Sequence, residues 1–179
     1  MSGSIADNVG RGSGVIAAAG GGGKVINYWS TNTGAVLSAA STPTIPTDDT
    51  IPQNTEGLEA MTLAVTPSSA TNILHITSGW SFTEYSGAQY WCCAALFQDS
   101  TVNAISSQMD YQKGGSGPWS GVLNHKMTAG TTSETTFKIR LGSNNTTEIT
   151  FNGFAGGGRA HGGVMGSHLT CYEIDPSIT

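Results

Sequence analysis

Apolar side chains recur at every second position through most of this chain. In Thr136-Phe137-Lys138-Ile139-Arg140-Leu141 the three apolar residues face one way and the two cations the other. Such alternation is what a β-strand with one dry face requires. Residues 60–66 repeat it, with Met61, Leu63 and Val65 on one face. Residues 72–82 carry Leu74, Ile76 and Trp80 on one face. Residues 89–97 are apolar almost throughout, which predicts a strand buried on both faces. Further strands are predicted at 24–29, 34–39, 104–111, 119–127, in a Thr/Ile/Phe run ending at Phe151, and at 167–174. Turn signals separate them: Pro67-Ser68-Ser69, Asp99-Ser100, Gly114-Gly115-Ser116-Gly117-Pro118, Gly142-Ser143-Asn144-Asn145 and Asn152-Gly153. The Gly-rich stretch 154–163 leads into the last strand. No segment shows a helix-length 3.6-residue period. Regularly spaced strands of this kind predict an all-β sandwich or jelly roll.

Two regions break the pattern. Residues 1–23 hold Gly10, Gly12, Gly14 and the run 20–23, with little periodic hydrophobicity. Alone in water this N-terminal arm is expected to be flexible. Residues 42–57 contain Pro43, Pro46 and Pro52, half of the prolines in the chain. Proline fixes φ and removes a ladder donor, so an extended, turn-rich connector is expected. The resulting division is an arm at 1–23, short strands at 24–42 and a β-sandwich domain at 43–179.

Composition sharpens this picture. Charged residues make up 11% of the 179 positions, against about 25% in an average soluble protein. A hydroxyl- and amide-rich surface suits sheet faces better than exposed helices. The apolar fraction of 37% implies a small core, to which self-association would add burial. The net charge is −5, and the seven Lys and Arg are scattered. Nucleic acid needs a clustered positive footprint, so no nucleic-acid partner is expected. No stretch approaches the ~20 apolar residues of a membrane span, and no basic, then apolar, leader opens the chain. Cys92 and Cys93 point to opposite faces of one strand. One of them could pair with Cys171, but all three are expected to be buried free thiols, as suits synthesis in a reducing cytoplasm.

Tests for chemistry return little. Gly20–Lys24 fails the phosphate-loop pattern at Ala18 and Val25. Gly12-Ser13-Gly14-Val15-Ile16-Ala17 fits the loose dinucleotide fingerprint, but no strand precedes it. His161 and His168 flank a Gly-rich loop and read as one loop and one strand histidine, although symmetry-related copies in an oligomer would form a ring able to bind an ion. Asp48 with Asp49, and Glu56 with Glu59, are the possible carboxylate pairs, and both lie in or beside the connector, where acids are ordinarily just solvated. No Gly-x-Ser-x-Gly elbow occurs. No catalytic residue, cofactor or metal site is therefore assigned. Aromatic residues offer the better candidates. Trp80, Phe82, Tyr85, Tyr90 and Trp91 are crowded together, and Trp119 follows a Gly-Pro turn. Trp80 and Trp91 read as core or interface residues. Tyr85 and Trp119, in loop contexts, are the candidate contacts for a glycan or protein partner.

Several separated segments carry a resemblance. They are Thr47-Asp48-Asp49-Thr50-Ile51-Pro52-Gln53-Asn54-Thr55-Glu56-Gly57, Met61-Thr62-Leu63-Ala64-Val65-Thr66-Pro67, Ser69-Ala70-Thr71-Asn72 and Ala95-Leu96-Phe97-Gln98-Asp99. After them come His125-Lys126-Met127-Thr128-Ala129-Gly130-Thr131-Thr132-Ser133, Phe137-Lys138-Ile139-Arg140, Phe151-Asn152-Gly153 and Gly162-Gly163-Val164-Met165-Gly166-Ser167. In this order, over about residues 43–174, the set resembles a β-domain of bacteriophage virion proteins. That domain occurs at the distal end of tail fibres and in small stand-alone structural proteins. The resemblance implies a jelly-roll-like antiparallel β-sandwich, assembled as a homotrimer and exposed on the virion. None of the matching segments is a catalytic motif, so a non-enzymatic protein is expected. No shaft precedes the domain, only the Gly-rich arm. That favours a capsid decoration protein, of the cement or head-spike kind, clipped through the arm to the major capsid protein or a tail component. The alternative is a tail-fibre or receptor-binding protein that contacts host-surface glycan.

Overall fold

The computed structural model describes residues 25–85, 89–112 and 117–178, and the expectations for the arm at 1–23 lie outside them. About 61% of the chain is strand, and among the described residues helix is confined to short 3-10 turns such as His161–Gly163. The strands are β1 (Val25–Thr33), β2 (Leu37–Thr42), β3 (Leu58–Val65), β4 (Ile73–Glu84), β5 (Tyr90–Gln98) and β6 (Ser106–Gln112). They continue with β7 (Trp119–Thr128), β8 (Thr135–Ser143), β9 (Thr147–Phe151), β10 (Gly153–Phe154), β11 (Gly158–Arg159) and β12 (Ser167–Ile174). All pairings are antiparallel.

Two sheets face each other. One runs β1-β12-β4-β7, the other β3-β8-β5-β6. Leaving aside β2, β9, β10 and β11, the remaining strands fall in the order first, eighth, third, sixth in one sheet and second, seventh, fourth, fifth in the other. This is jelly-roll connectivity, as the strand spacing led one to expect. β1 pairs along β12 from Val25 to Thr33, so the sheet begins with the first described residues.

β4 is long enough to serve two neighbours on one edge. Ile73 to Gly79 pair with β12, and Phe82 to Glu84 pair with β9, which carries β2 beyond it. The fork between them is closed by a buried polar knot. Asn152 adopts φ 54°, a left-handed conformation that Asn tolerates. Its backbone N–H donates to the Ser81 carbonyl at 2.9 Å, and its side-chain amide donates to the carbonyls of Thr33 and Ala35. The Ser167 hydroxyl donates to Asn152 Oδ1 at 2.7 Å and accepts the Ser81 N–H at 3.1 Å. Every strand end at the fork thereby finds a partner, as buried backbone groups must.

The core lies between the sheets. Met61, Leu63, Val65, Leu74, Ile76, Trp80, Phe82, Phe137, Ile139 and Leu141 all join it, from the faces that the alternation marks. β5 is buried on both sides, and the reason is tertiary. Cys92, Ala94 and Leu96 point inward, while the outward Cys93, Ala95 and Phe97 are buried too, Cys93 beside Ile45 and Pro46 of the 43–57 segment and Phe97 beside Asn54. That segment is pinned down by Ile45 N–H on the Ser143 carbonyl at 2.9 Å, and by Arg140, whose guanidinium donates to the carbonyls of Glu56 and Gly57. Gly57 (φ 65°) sits so close that a Cβ there would lie 2.8 Å from the Leu141 carbonyl oxygen.

The three cysteines are free and buried. Burial pushes the Cys93 thiol up to about 11 and Cys171 to about 12, and Cys92 higher still. All three stay protonated at neutral pH and pack as small apolar groups.

Candidate binding surfaces

Tyr85 and Trp119 occupy different environments. Tyr85 follows the last residue of β4, is 58% exposed, and is tied by its N–H to the Glu148 carbonyl at 3.1 Å. Trp119 opens β7 opposite Phe82, rather than lying in the preceding loop. Its ring stands 4.6 Å from that of Trp80 and edge-on to Phe82, at 5.9 Å. Trp119 is half-buried and lines the rim of the core. The pairing arises because Gly121, opposite Trp80, leaves the space that the indole of Trp80 fills: a Cβ there would meet that ring at 2.6 Å.

Trp91 and Trp80 part company. Trp80 is in the core, as expected. Trp91 is half-buried on the outer face of the second sheet, cross-strand from Tyr111, with ring centroids 5.2 Å apart. The Asn144 side chain accepts the Trp91 N–H at 2.8 Å, and the Tyr111 hydroxyl donates to Gln89 Oε1. Tyr111 and its strand neighbour Met109 were not singled out by the sequence pattern. The signal available was the alternation Ser107-Met109-Tyr111 along β6, a strand otherwise polar.

The outer face of the first sheet is weakly charged. One row across it reads Tyr28, Tyr172, His75 and Lys126, the next Ser30, Thr170, Thr77 and Asn124, and a third Asn32, His168, Gly79 and Val122. Tyr28 and Tyr172 pair at 5.2 Å, and the Ser30 and Thr170 hydroxyls share a hydrogen bond of 3.0 Å. Tyr28 and Val122 are 58% and 52% exposed. His168 lies against Gly79 in β12, while His161 sits in the exposed 3-10 turn, so the two histidines are indeed one strand and one loop residue.

The acidic candidates stand apart from one another in role. Asp48 accepts the N–H and hydroxyl of Thr50, which hold its carboxyl below the usual carboxylate range, side-chain bond first. Glu56 accepts the Gln53 N–H at 2.8 Å. Glu59 pairs with Lys138 at 3.5 Å and with Arg140 at 3.2 Å. Glu173 escaped the sequence reading. It is buried at the end of β12 and accepts from Asn27, Ser68, Ser69 and Asn72. Burial opposes its ionisation, but the donated bonds from Asn72, Asn27 and Ser68 outweigh that, and its carboxyl is held below the usual value. It staples the 67–72 turn to β1 and β12. Among the described residues no cluster of three or more His, Cys, Asp and Glu side chains is arranged to hold a metal ion, and no helix is long and apolar enough to cross a membrane.

No known protein family and no curated protein matches the sequence. Solved structures offer distant likenesses only. The C-terminal domain of EclA, described as a sugar-binding protein, aligns over 67% of this chain and 75% of its own, at 13% identity and a TM-score of 0.38. Infectious bursal disease virus, Gx strain, aligns over 82% of this chain at 9% identity and a TM-score of 0.38. The T13 particle of the same virus aligns over 84%, at 10% identity and a TM-score of 0.35. This chain spans 36% of each of those viral chains. The likeness to virion proteins and to a sugar-binding domain is weak, and no role is transferred from it.

Proposed function

We propose that this protein is a non-enzymatic structural component of a bacteriophage particle. In this reading it is a surface-exposed capsid decoration protein, of the cement or head-spike kind, made in the host cytoplasm and assembled as a homotrimer. Residues 1–23 would attach it to the major capsid protein or a tail component. The observation that supports the reading best is the first sheet's outer face. Tyr28 and Val122 are exposed on it, it spans four strands, and Lys126 is the cation in its three rows. A face so poor in charge suits burial against other subunits, where apolar contact and hydroxyl pairing replace salt bridges. The segment-by-segment resemblance described above supplies the virion context.

Sedimentation equilibrium of the full chain tests the assembly, with a trimer expected at micromolar concentration. A strict monomer would overturn that part. Immunogold labelling of particles of the encoding phage tests the location. Gold over the head supports decoration, gold at the tail tip supports the tail-fibre alternative, and unlabelled particles overturn both. Tyr85, the more exposed of the two residues first considered for partner contact, is the one suited to that alternative.

A further inference from the structure

The 43–57 segment covers the second sheet only in part. Cys93 beside Ile45 and Pro46, and Phe97 beside Asn54, are buried, whereas Trp91 on the same face is half-buried. At the uncovered end Trp91 and Tyr111 stand side by side, their rings inclined at 53°. Tyr111 is 38% exposed, and its hydroxyl bond to Gln89 fixes the ring. Side chains on one strand face recur every second residue, so Met109 and Ser107 continue the same strip from Tyr111. Met109 is 54% exposed. There the strip becomes a groove of ≈230 Å³ between β6 and the covering segment, lined by Pro46, Asp48, Thr50, Cys93, Ser107 and Met109 among others. From Tyr111 to Ser107 the strip is ~13 Å long, at ~3.3 Å per residue.

The chemistry along this strip changes in a defined order. It starts with an aromatic platform, passes a flexible thioether and ends in a carboxylate and two hydroxyls. A pyranose has apolar C–H faces and an equatorial belt of hydroxyls, and it needs both kinds of partner at once. Asp48 supplies an ionised acceptor, held in place by the Thr50 N–H at 2.8 Å. Among the described residues no Lys or Arg lines the groove, and the chain carries a net charge of −5, which disfavours polyanions. A protein partner needs about 800 Å² per side, and a strip one strand-face wide offers less.

We propose that this strip is a binding site for a neutral glycan chain. Trp91 and Tyr111 stack on successive sugar rings, and Asp48, Thr50 and Ser107 receive the hydroxyls of the next ring in the groove. The site is separate from Tyr85 and Trp119, and it depends neither on the trimer nor on the capsid.

Affinity electrophoresis tests it, with the full chain run in native gels cast with dextran, pullulan or galactomannan, and with dextran sulfate as the polyanion. Retardation by at least one neutral polymer is expected. Tyr111→Ala and Asp48→Asn should each weaken it by about tenfold or more, while Val164→Ser, at a position 88% exposed and away from the strip, leaves it unchanged. Quenching or a blue shift of the Trp91 fluorescence, lost in Trp91→Phe, should accompany binding. Should Trp91 variants not fold, Tyr111→Ala and Met109→Ser carry the test, since both side chains are exposed. Absence of retardation in all three neutral gels overturns the proposal. So does retardation by dextran sulfate alone, or a change of oligomeric state in Tyr111→Ala, which would make the strip a subunit contact.

Discussion

The side-chain amide of Asn72 donates to the buried carboxylate of Glu173 at 2.6 Å, across 101 positions of sequence. Asn27 joins from β1 and Ser68 from the β3–β4 turn, so one carboxylate ties three elements together. Hydrogen bonds to a charged group contribute about 1.5–3 kcal/mol each when the partner is retained. Glu173→Gln keeps the shape and an acceptor for Asn72, Ser68 and Ser69, but sets a donor against the Asn27 amide. It should destabilise the fold by about 2–3 kcal/mol, read as a lower midpoint in urea.

Acid should act through the same group. Its folded-state pKa lies below the unfolded value. Its contribution is therefore complete above the ordinary carboxylate range and disappears as the pH falls through the depressed folded value. Unfolding free energy measured from pH 6 down to pH 2 should fall for the native chain, and less steeply for Glu173→Gln. Parallel slopes would show that other carboxylates govern acid sensitivity.

The fork at Asn152 gives a ranked series. Asn152→Gly accepts φ 54° but abandons the bonds to Thr33, Ala35 and Ser167. Asn152→Asp sets a carboxylate against the Thr33 and Ala35 carbonyls and should be worse. The expected losses are about 2 kcal/mol for glycine and more than about 3 kcal/mol for aspartate at neutral pH. Equal effects would mean that the amide's bonds matter little.

Ile45 anchors the cover on the second sheet. Ile45→Ala should cost about 2–4 kcal/mol and should open the 43–57 segment to proteases under native conditions. Mass mapping of the first cleavage fragments checks this. Cuts confined to other regions would show that the backbone bond of residue 45 and Arg140 hold the segment without the Ile45 side chain.

Tyr85 and Trp119 should separate cleanly in stability. Tyr85→Ala, at an exposed site, should fall within about 0.5 kcal/mol of the parent. Trp119→Ala strips the rings of Trp80 and Phe82 of a neighbour and should cost about 1–3 kcal/mol. Chemical denaturation of both variants decides it.

Much of this architecture was present in local pattern. Period-two alternation marked the inward faces of β3, β4 and β8, and the bounds of β12 coincide with its predicted span, because one buried face per strand is a property of neighbouring residues. β5 was legible as doubly buried, but what covers its outer face was not. Ile45 reaches Gly142 and Ser143 only through folding of the proline-rich segment. The partners of Glu173 were equally hidden, since they come from three elements far apart in the chain. Trp91 and Trp119 show the same division. Sequence context suggested a packing role for Trp91 and a loop site for Trp119, whereas the register of β5 on β6 placed Trp91 on an open face and that of β7 on β4 placed Trp119 on the rim of the core. Hydrophobic periodicity sets which side of a strand is dry, whereas pairing between distant strands sets what each side meets, and no short-range pattern carries that information.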